Sequence, residues 1–172
     1  MDIWTCDKCK REFFRKNQQH YCSEHTIEDL LANKSPDLVL AFDALILAVA
    51  EWEPQTIGAG KAAIIFNNGK AWMVVRPMKT ELDVSFFYDS ILKSPVIKTA
   101  RLDNMGKNKY VHHIRLRSEN DVTPEVVDLL RKGFDFMLSK KRLARQKAVK
   151  AEVAAGKKKP TKKKTKVAKK QG

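Results

Sequence analysis

The last 33 residues limit what this 172-residue chain can fold into, because they offer almost no apolar surface to bury. Residues 140–172 hold 15 of the 34 Lys and Arg residues and one of the 20 acids, a net charge of +14. Such a composition cannot offset the conformational entropy lost on ordering. We therefore expect a disordered Lys-rich tail over residues 140–172. The whole chain also carries +14, so everything before the tail should be neutral overall.

The tail predicts a polyanionic partner. Its densest positive charges are Lys157, Lys158, Lys159, Lys162, Lys163 and Lys164. Lysines bind phosphates by counterion release and do not read base edges, so nucleic-acid binding through them should be largely independent of sequence. The tail has no aromatic residue for base stacking, and it has no apolar anchor or lipidation cysteine for a membrane. DNA and RNA are not distinguished by this pattern.

The N-terminal segment, residues 1–25, contains all three cysteines, at Cys6, Cys9 and Cys22. An odd number of closely spaced cysteines is not a disulfide framework, and in a reducing compartment it indicates metal ligands. Cys6 and Cys9 are separated by two residues, which places two thiolates on one turn, as tetrahedral Zn²⁺ requires. An accidental Cys-x-x-Cys or a redox pair is the alternative, but no strand precedes the motif as a redox site would require.

Three residues compete for the other two metal positions: His20, Cys22 and His25. We prefer His20 with Cys22, because leaving Cys22 unbound beside the metal would waste the strongest ligand. The pairs Cys22 with His25 and His20 with His25 remain possible, so His25 is an alternative ligand. Four protein ligands leave no open position, so the zinc should be structural. Phe13 is expected in the core of this finger, with Trp4 covering the other side.

Residues 26–139 carry the periodic apolar patterns of a folded body. A short helix is expected over Thr26–Asn33, and a longer one begins at Ser35-Pro36, with Ser as N-cap, and ends at Pro54. A last helix begins at Thr123-Pro124. Its apolar residues recur with the helical period.

The strands of the body lie between these helices. Five are predicted: 62–66, 71–75, 82–88, 96–102 and 109–117. The first two flank Asn67-Asn68-Gly69-Lys70, a strong hairpin signal. The order of elements predicts an α+β fold, with an antiparallel sheet of about five strands and helices packed on one face.

The finger motif resembles that of a bacterial domain-of-unknown-function family. The similarity lies in Trp4-Thr5-Cys6-Asp7-Lys8-Cys9 followed by Asn17-Gln18-Gln19-His20-Tyr21-Cys22, a W-x-C-x2-C…N-Q-x-H-x-C pattern before a small α+β domain. The strand Ile64–Phe66 and the segment Tyr110–Leu116 are similar too. The resemblance implies the ligands Cys6, Cys9, His20 and Cys22 and implies no activity. The body is also distantly similar to YdhG-like domains, at the level of the fold alone.

The strand 110–117 places two histidines on opposite faces. Alternation puts His112 on the core side, and puts His113, Arg115 and Arg117 on the other. These three form a cationic ridge that could bind a phosphate or carboxylate. Cross-strand pairing with Glu81 or Asp83 is the competing interpretation.

Catalytic motifs do not emerge from the sequence. It contains no Gly-rich phosphate loop, no Gly-x-Ser-x-Gly and no His-Glu-x-x-His. The first hypothesis is a non-enzymatic, zinc-containing, nucleic-acid-associated protein of the cytoplasm or nucleoid. The alternatives are a module that binds a protein or small ligand, with a structural finger and a localising tail, and an enzyme using His112 or His113.

Overall fold

The computed structural model describes residues 3–13, 16, 20, 22, 25–104 and 109–138. Those up to Leu138 form one compact unit, so the finger and the body belong together. The predicted tail, residues 140–172, lies outside the described residues, so its expected disorder stays a prediction. Within the described ranges, no helix is long and apolar enough to cross a membrane.

Three helices and eight strands make up this unit. The helices are α1 (Ile27–Leu31), α2 (Pro36–Val49) and α3 (Pro124–Met137), with a 3-10 turn at Glu119–Asp121. The finger contains the strands β1 (Trp4–Thr5) and β2 (Glu12–Phe13). Strand β1 directly precedes Cys6, so the expectation that no strand comes before the Cys-x-x-Cys motif is wrong; β1 is a two-residue strand paired with β2 in a hairpin. The body contains β3 (Thr56–Ala59), β4 (Ile64–Asn67), β5 (Ala71–Pro77), β6 (Leu82–Tyr88), β7 (Ile97–Leu102) and β8 (Tyr110–Leu116).

The helices begin where the sequence predicts. Thr26 caps α1 in a capping box, in which its hydroxyl accepts from the Asp29 backbone N–H and the Asp29 carboxylate accepts from the Thr26 N–H. Ser35 is the N-cap of α2, although its side chain makes no cap hydrogen bond, and Pro36 takes the first helical position. The Thr123 hydroxyl accepts from the Val126 N–H at the start of α3.

The body is an antiparallel sheet in the order β3-β4-β5-β6-β8-β7, so the α+β class is confirmed. The sheet has six strands where we expected about five. The additional strand, β3, is only four residues long, and Gly58 interrupts its β-forming residues, so its sequence is too short to show alternation. The strand β8 lies between β6 and β7, which makes it central.

The sheet has two different faces. On the core face, Phe86 of β6 lies opposite Met73 of β5 and His112 of β8. Helix α3 packs on β5 and β6 at this face, where a Cβ on Gly133 would come within 2.7 Å of the Phe86 ring. Helix α2 also contacts β6. We call the opposite side the open face; its residues include Asp83, Ser85 and His113.

The β4–β5 hairpin is tied to α3 by a buried polar contact. The side-chain amide of Asn68 donates to the Phe134 carbonyl at 2.9 Å. Gly69 follows with φ of 108°, a left-handed conformation that glycine adopts without strain. The Trp72 ring stands edge-on to the Phe134 ring, with 5.2 Å between centroids. The predicted turn is therefore also an anchor for the last helix.

Candidate metal centre and adjoining pocket

The finger begins with a tight turn that carries two cysteines. The Cys6 N–H donates to the Arg11 carbonyl and the Lys10 N–H donates to the Cys6 carbonyl, both at 2.9 Å. Lys10 closes the turn in a left-handed conformation, with φ of 56°. Strands β1 and β2 then pair, with Trp4 opposite Phe13. This hairpin holds Cys6 and Cys9 on the same side of the chain.

Four side chains converge on one point of the finger: Cys6, Cys9, His20 and Cys22. One ligand atom from each lies within 4.8 Å of all the others. Cys6 Sγ is 3.7 Å from Cys22 Sγ, and His20 Nε2 is 3.3 Å from Cys9 Sγ and 3.1 Å from Cys22 Sγ. Among the described residues, His25 is not part of this cluster. The cluster could therefore hold a metal ion.

The distances fit a tetrahedral ion. With Zn–S near 2.3 Å and Zn–N near 2.0 Å, a tetrahedron has S–S edges of about 3.8 Å and S–N edges of about 3.6 Å. The observed 3.7 Å between the sulfurs of Cys6 and Cys22 matches the first of these. The shorter contacts of His20 Nε2 come within about half an ångström of the second.

The thiols influence one another strongly. Burial raises the pKa of Cys9, but hydrogen bonds from the side chain and backbone of Arg11 outweigh it and lower the pKa to about 6. Desolvation and the adjacent thiols of Cys6 and Cys9 raise the pKa of Cys22 to about 11. Three thiolates so close together repel one another, and a bound divalent cation removes that penalty. The donor set thus suits a metal ion.

Two aromatic residues of the finger, Phe13 and Trp4, pack around the His20 ring. The Phe13 ring lies 4.3 Å from it and the Trp4 ring 6.0 Å, between centroids. Phe13 is buried, and its ring is 5.7 Å from that of Trp4. Phe13 lies in the core of the finger as predicted, whereas Trp4 packs beside Phe13 as its cross-strand partner and does not cover the opposite side. This packing fixes the imidazole plane, and so directs Nε2 towards the sulfurs.

The finger docks on the edge of the sheet through Arg11. Strand β2 contacts β3, and a Cβ built on Gly58 would lie only 2.4 Å from Cδ and 2.8 Å from Cγ of Arg11. The aliphatic stem of Arg11 therefore occupies the space that any other residue at position 58 would need. The guanidinium then reaches back towards the finger, 5.7 Å from the centre of the Phe13 ring.

A pocket of about 600 Å³ lies between the finger and the open face of the sheet. The finger contributes one wall, made of Arg11, Phe13 and His20. The body contributes Gly60, Lys61, Ala62, Ala63, Ile65, Asn67, Ala71 and Arg76. Most of this lining is apolar, and the charged side chains that the structure describes in it are cations. We call this space the finger pocket.

The predicted cationic ridge is paired with acids on the open face. His113 Nδ1 is 2.9 Å from Asp83 Oδ1, and Arg115 lies 3.2 Å from Glu81 and 3.7 Å from Asp83. Arg117 is 3.2 Å from the second oxygen of Glu81. The cross-strand pairing that we considered is thus present. Anion binding by the ridge stays a prediction, and it would have to compete with these carboxylates.

His112 lies on the core face, as alternation predicts. It is fully buried, stacks on Phe86 at 5.1 Å between ring centroids, and its Nε2 accepts from the Leu92 N–H at 3.0 Å. Burial lowers the pKa of His112, and the nearby His113 lowers it further, against carbonyl contacts from Tyr110 and Ser90. The lowered pKa favours the neutral imidazole, which packs against Phe86 in the core.

Sequence reasoning missed the residues that build the finger pocket. Lys61 and Arg76 of the pocket, and Gly58 at the docking contact beside it, carry no motif, because their roles depend on where the finger docks. The sequence offered one indication, Gly58 within a short strand, because a glycine inside a strand often marks a close approach of another part of the chain. The six tail lysines, Lys157, Lys158, Lys159, Lys162, Lys163 and Lys164, lie outside the described residues.

The fold and the cluster define a class: an α+β body preceded by a small finger whose three cysteines and one histidine can hold a metal. Residues 27–137 match the family described as Domain of unknown function (DUF5655). This match covers well over half of the chain, so the protein belongs to that family. The finger precedes the matched region. Searches of curated proteins and of solved structures found no match.

Proposed function

We propose that this protein is a non-enzymatic, zinc-containing protein that associates with nucleic acid. The observation that carries the proposal is the separation of charge along the chain: residues 140–172 hold a net +14 and the remainder is neutral. A segment of this kind attracts phosphates, and it binds them without preference for sequence. The tail provides affinity, and the finger and body determine where on the strand the protein sits.

In this proposal the metal is zinc and its role is structural. Three thiolates and one imidazole are a common zinc donor set, and four protein ligands leave no position for a substrate or water. Unpaired thiols that serve as ligands are typical of a reducing compartment, so the proposed location is the cytoplasm, including the nucleoid. The ion stabilises a finger that is too short to form a core of its own.

Replacing the histidine ligand tests the zinc assignment. We expect His20→Ala to lower the zinc content of the purified chain from one per chain to well below one, because three thiolates alone leave the tetrahedron open. His25→Ala is the matched control and should retain one zinc. Zinc is measured by elemental analysis after gel filtration. Loss of zinc from His25→Ala and retention by His20→Ala would reverse the assignment.

The nucleic-acid proposal is tested by changing charge in two places. One variant of the full chain replaces the six tail lysines with Gln: Lys157, Lys158, Lys159, Lys162, Lys163 and Lys164. The control replaces six body lysines that have no ion pair among the described residues: Lys34, Lys70, Lys79, Lys93, Lys98 and Lys132. Both variants lose the same charge, so a difference between them reports position.

The measurement is the dissociation constant for a labelled oligonucleotide across a range of salt concentrations. The slope of log K against log salt should fall by roughly 0.7 to 0.9 units for each phosphate contact that the tail variant loses, and much less for the control. Equal changes in both variants would show that binding depends on total charge and not on the tail in particular. Absence of binding by the unmodified chain would sink the proposal and favour a protein or small-ligand partner.

A further inference from the structure

We propose that the finger pocket binds one unpaired nucleotide, with the phosphate held by Arg76 and Lys61 and the base lying on the apolar floor around Ile65. This inference rests on the proposed association with nucleic acid and assigns it a site in the folded part of the chain. It is argued from the charges, the lining and the position of the pocket.

Arg76 is a cation of the pocket that lacks an acid of its own in the described part of the chain. Its cross-strand neighbour on the open face is Asp83, the nearest acid by register. Asp83 is already engaged by His113 at 2.9 Å and by Arg115 at 3.7 Å on the other side. Arg76 is exposed and has no ion-pair partner among the residues that the structure describes. Its guanidinium is therefore available to an outside anion, and guanidinium binds phosphate in a bidentate manner.

Lys61 adds a second available cation to the same pocket. It is exposed, and no described carboxylate pairs with it. Among the described residues, the pocket lining contains Arg11, Lys61 and Arg76 and no Asp or Glu, although residues before the tail balance positive and negative charge overall. The pocket therefore has an excess of positive charge within a folded part that is neutral overall, and this charge complements a phosphate.

The lining also suits a base. The floor and walls are formed largely by apolar groups, among them Ala63, Ile65 and Phe13, with Asn67 offering both a donor and an acceptor. A volume of about 600 Å³ falls in the usual range of roughly 300 to 1,000 Å³ for small-molecule sites. An apolar recess with cations at its edge matches a nucleotide, which has a flat ring and an anionic group.

The shape favours a single strand over a duplex. Bases in a duplex are stacked and paired, so none could enter a recess walled by the finger unless it left the stack. An unpaired nucleotide can enter at little cost, because apolar and aromatic surfaces accept any base face. The finger thus acts as one wall of the site, and the sheet as the other.

The test uses the zinc-loaded full chain and a labelled single strand of ten thymidines. The pocket variant carries Lys61→Gln and Arg76→Gln. The matched control carries Lys98→Gln and Arg101→Gln, two exposed cations of β7 at the opposite edge of the sheet, so both lose one Lys and one Arg. At salt concentrations that weaken the tail, we expect the pocket variant to bind about tenfold more weakly and the control less than twofold.

A third variant fills the pocket without changing its charge. Ala63→Trp places a large ring in the recess and should weaken binding by a similar factor, since base stacking is lost. Circular dichroism and thermal unfolding establish that each variant is folded. Photo-crosslinking from 4-thiothymidine should then label peptides that contain Phe13 or Ile65 in the unmodified chain, and not in the Ala63→Trp variant.

The outcomes separate the two proposals. If the full chain does not bind the strand, the nucleic-acid association itself is wrong. If it binds, but the pocket and control variants are equal, or crosslinks occur only within residues 140–172, the association stands and the pocket assignment falls. A pocket that takes up a different ligand while the strand binds normally would overturn it as well.

Discussion

At the scale of single residues, Gly58 allows the close approach of Arg11 by which the finger docks on the sheet. We expect Gly58→Ala to destabilise the protein, because its Cβ would lie 2.4 Å from Arg11 Cδ. Overpacking of this kind costs about 1 to 3 kcal/mol, although alanine is otherwise preferred to glycine within a strand. Urea unfolding measures the change in the free energy of unfolding.

The double variant isolates the cause. In an Arg11→Ala background the stem that fills the space is gone, so Gly58→Ala should become neutral or stabilising. A cost that persists without the Arg11 side chain would show that the glycine is needed for its backbone, and that our contact argument is wrong.

His112 should make the stability depend on pH. Burial lowers its pKa in the folded state, so below pH 6.5 the unfolded chain takes up a proton that the folded chain refuses. The free energy of unfolding should therefore decrease as pH falls from about 7 towards 5, by up to about 1.4 kcal/mol per unit. The stabilisation that the neutral His112 contributes is fully present above the pKa that histidine has in the unfolded chain.

His112→Gln is the variant that checks this. Its amide oxygen can still accept from the Leu92 N–H but cannot titrate, so the slope of stability against pH between 5 and 7 should flatten. His25→Gln, at an exposed histidine, is the control and should keep the slope. An unchanged slope in His112→Gln would place the titration in another group.

Residue identities could be predicted where the chemistry is local. The spacing of Cys6 and Cys9 and the choice of His20 and Cys22 followed from ligand types, and the structure brings those four together. Arg11 against Gly58 could not be predicted, because the contact joins residues 47 positions apart and depends on how the finger meets the sheet.

At the scale of elements, the approach of α3 to β6 depends on one glycine. Gly133→Ala raises helix propensity by about 1 kcal/mol. Yet its Cβ would lie 2.7 Å from the Phe86 ring and 3.2 Å from the Phe87 carbonyl oxygen, neither of which can move freely. We expect a net loss of stability and a lower Tm, as overpacking outweighs propensity.

Lys132→Ala tests the same helix without the contact. Lys132 is exposed, so this change should stay within about 0.5 kcal/mol of the unmodified chain. If Gly133→Ala were as harmless as Lys132→Ala, the close packing of α3 on β6 would have to be relaxed in solution.

The strength of the local pattern decides which elements could be predicted. The helices beginning at Pro36 and Pro124 have clear caps and helical periodicity, and the turn at Gly69 predicts its hairpin. Strand β3 has four residues and no alternation, so its sequence does not predict a strand. It is defined by its pairing with β4, which depends on the tertiary fold. The insertion of β8 beside β6 is a choice of topology that local sequence does not encode.

At the scale of the whole molecule, the finger and the body form one unit, yet only the body has a large core. We expect a zinc chelator to lower the Tm by a few degrees, since the contacts of Phe13 and Arg11 at the sheet edge would be lost. The body should still unfold cooperatively, because its core residues are buried against one another, as Trp72 and Phe134 are with 5.2 Å between ring centroids.

The His20→Ala variant is the reference for chelation. It should already have the lower Tm, and adding chelator should change it no further. Complete loss of the cooperative transition on chelation would mean that the body depends on the finger for its fold. A Tm that chelation leaves unchanged would mean that the docking contributes nothing to stability.

The contact of Arg11 with Gly58 also limits how freely the two parts can be exchanged. A body taken from another chain would accept this finger only if it offered a bare backbone at the matching strand position. Conversely, another finger grafted onto this body would need a long, unbranched side chain to fill the gap. Chimeras should therefore succeed or fail according to these two positions together, which makes the pair a simple criterion for recombining such modules.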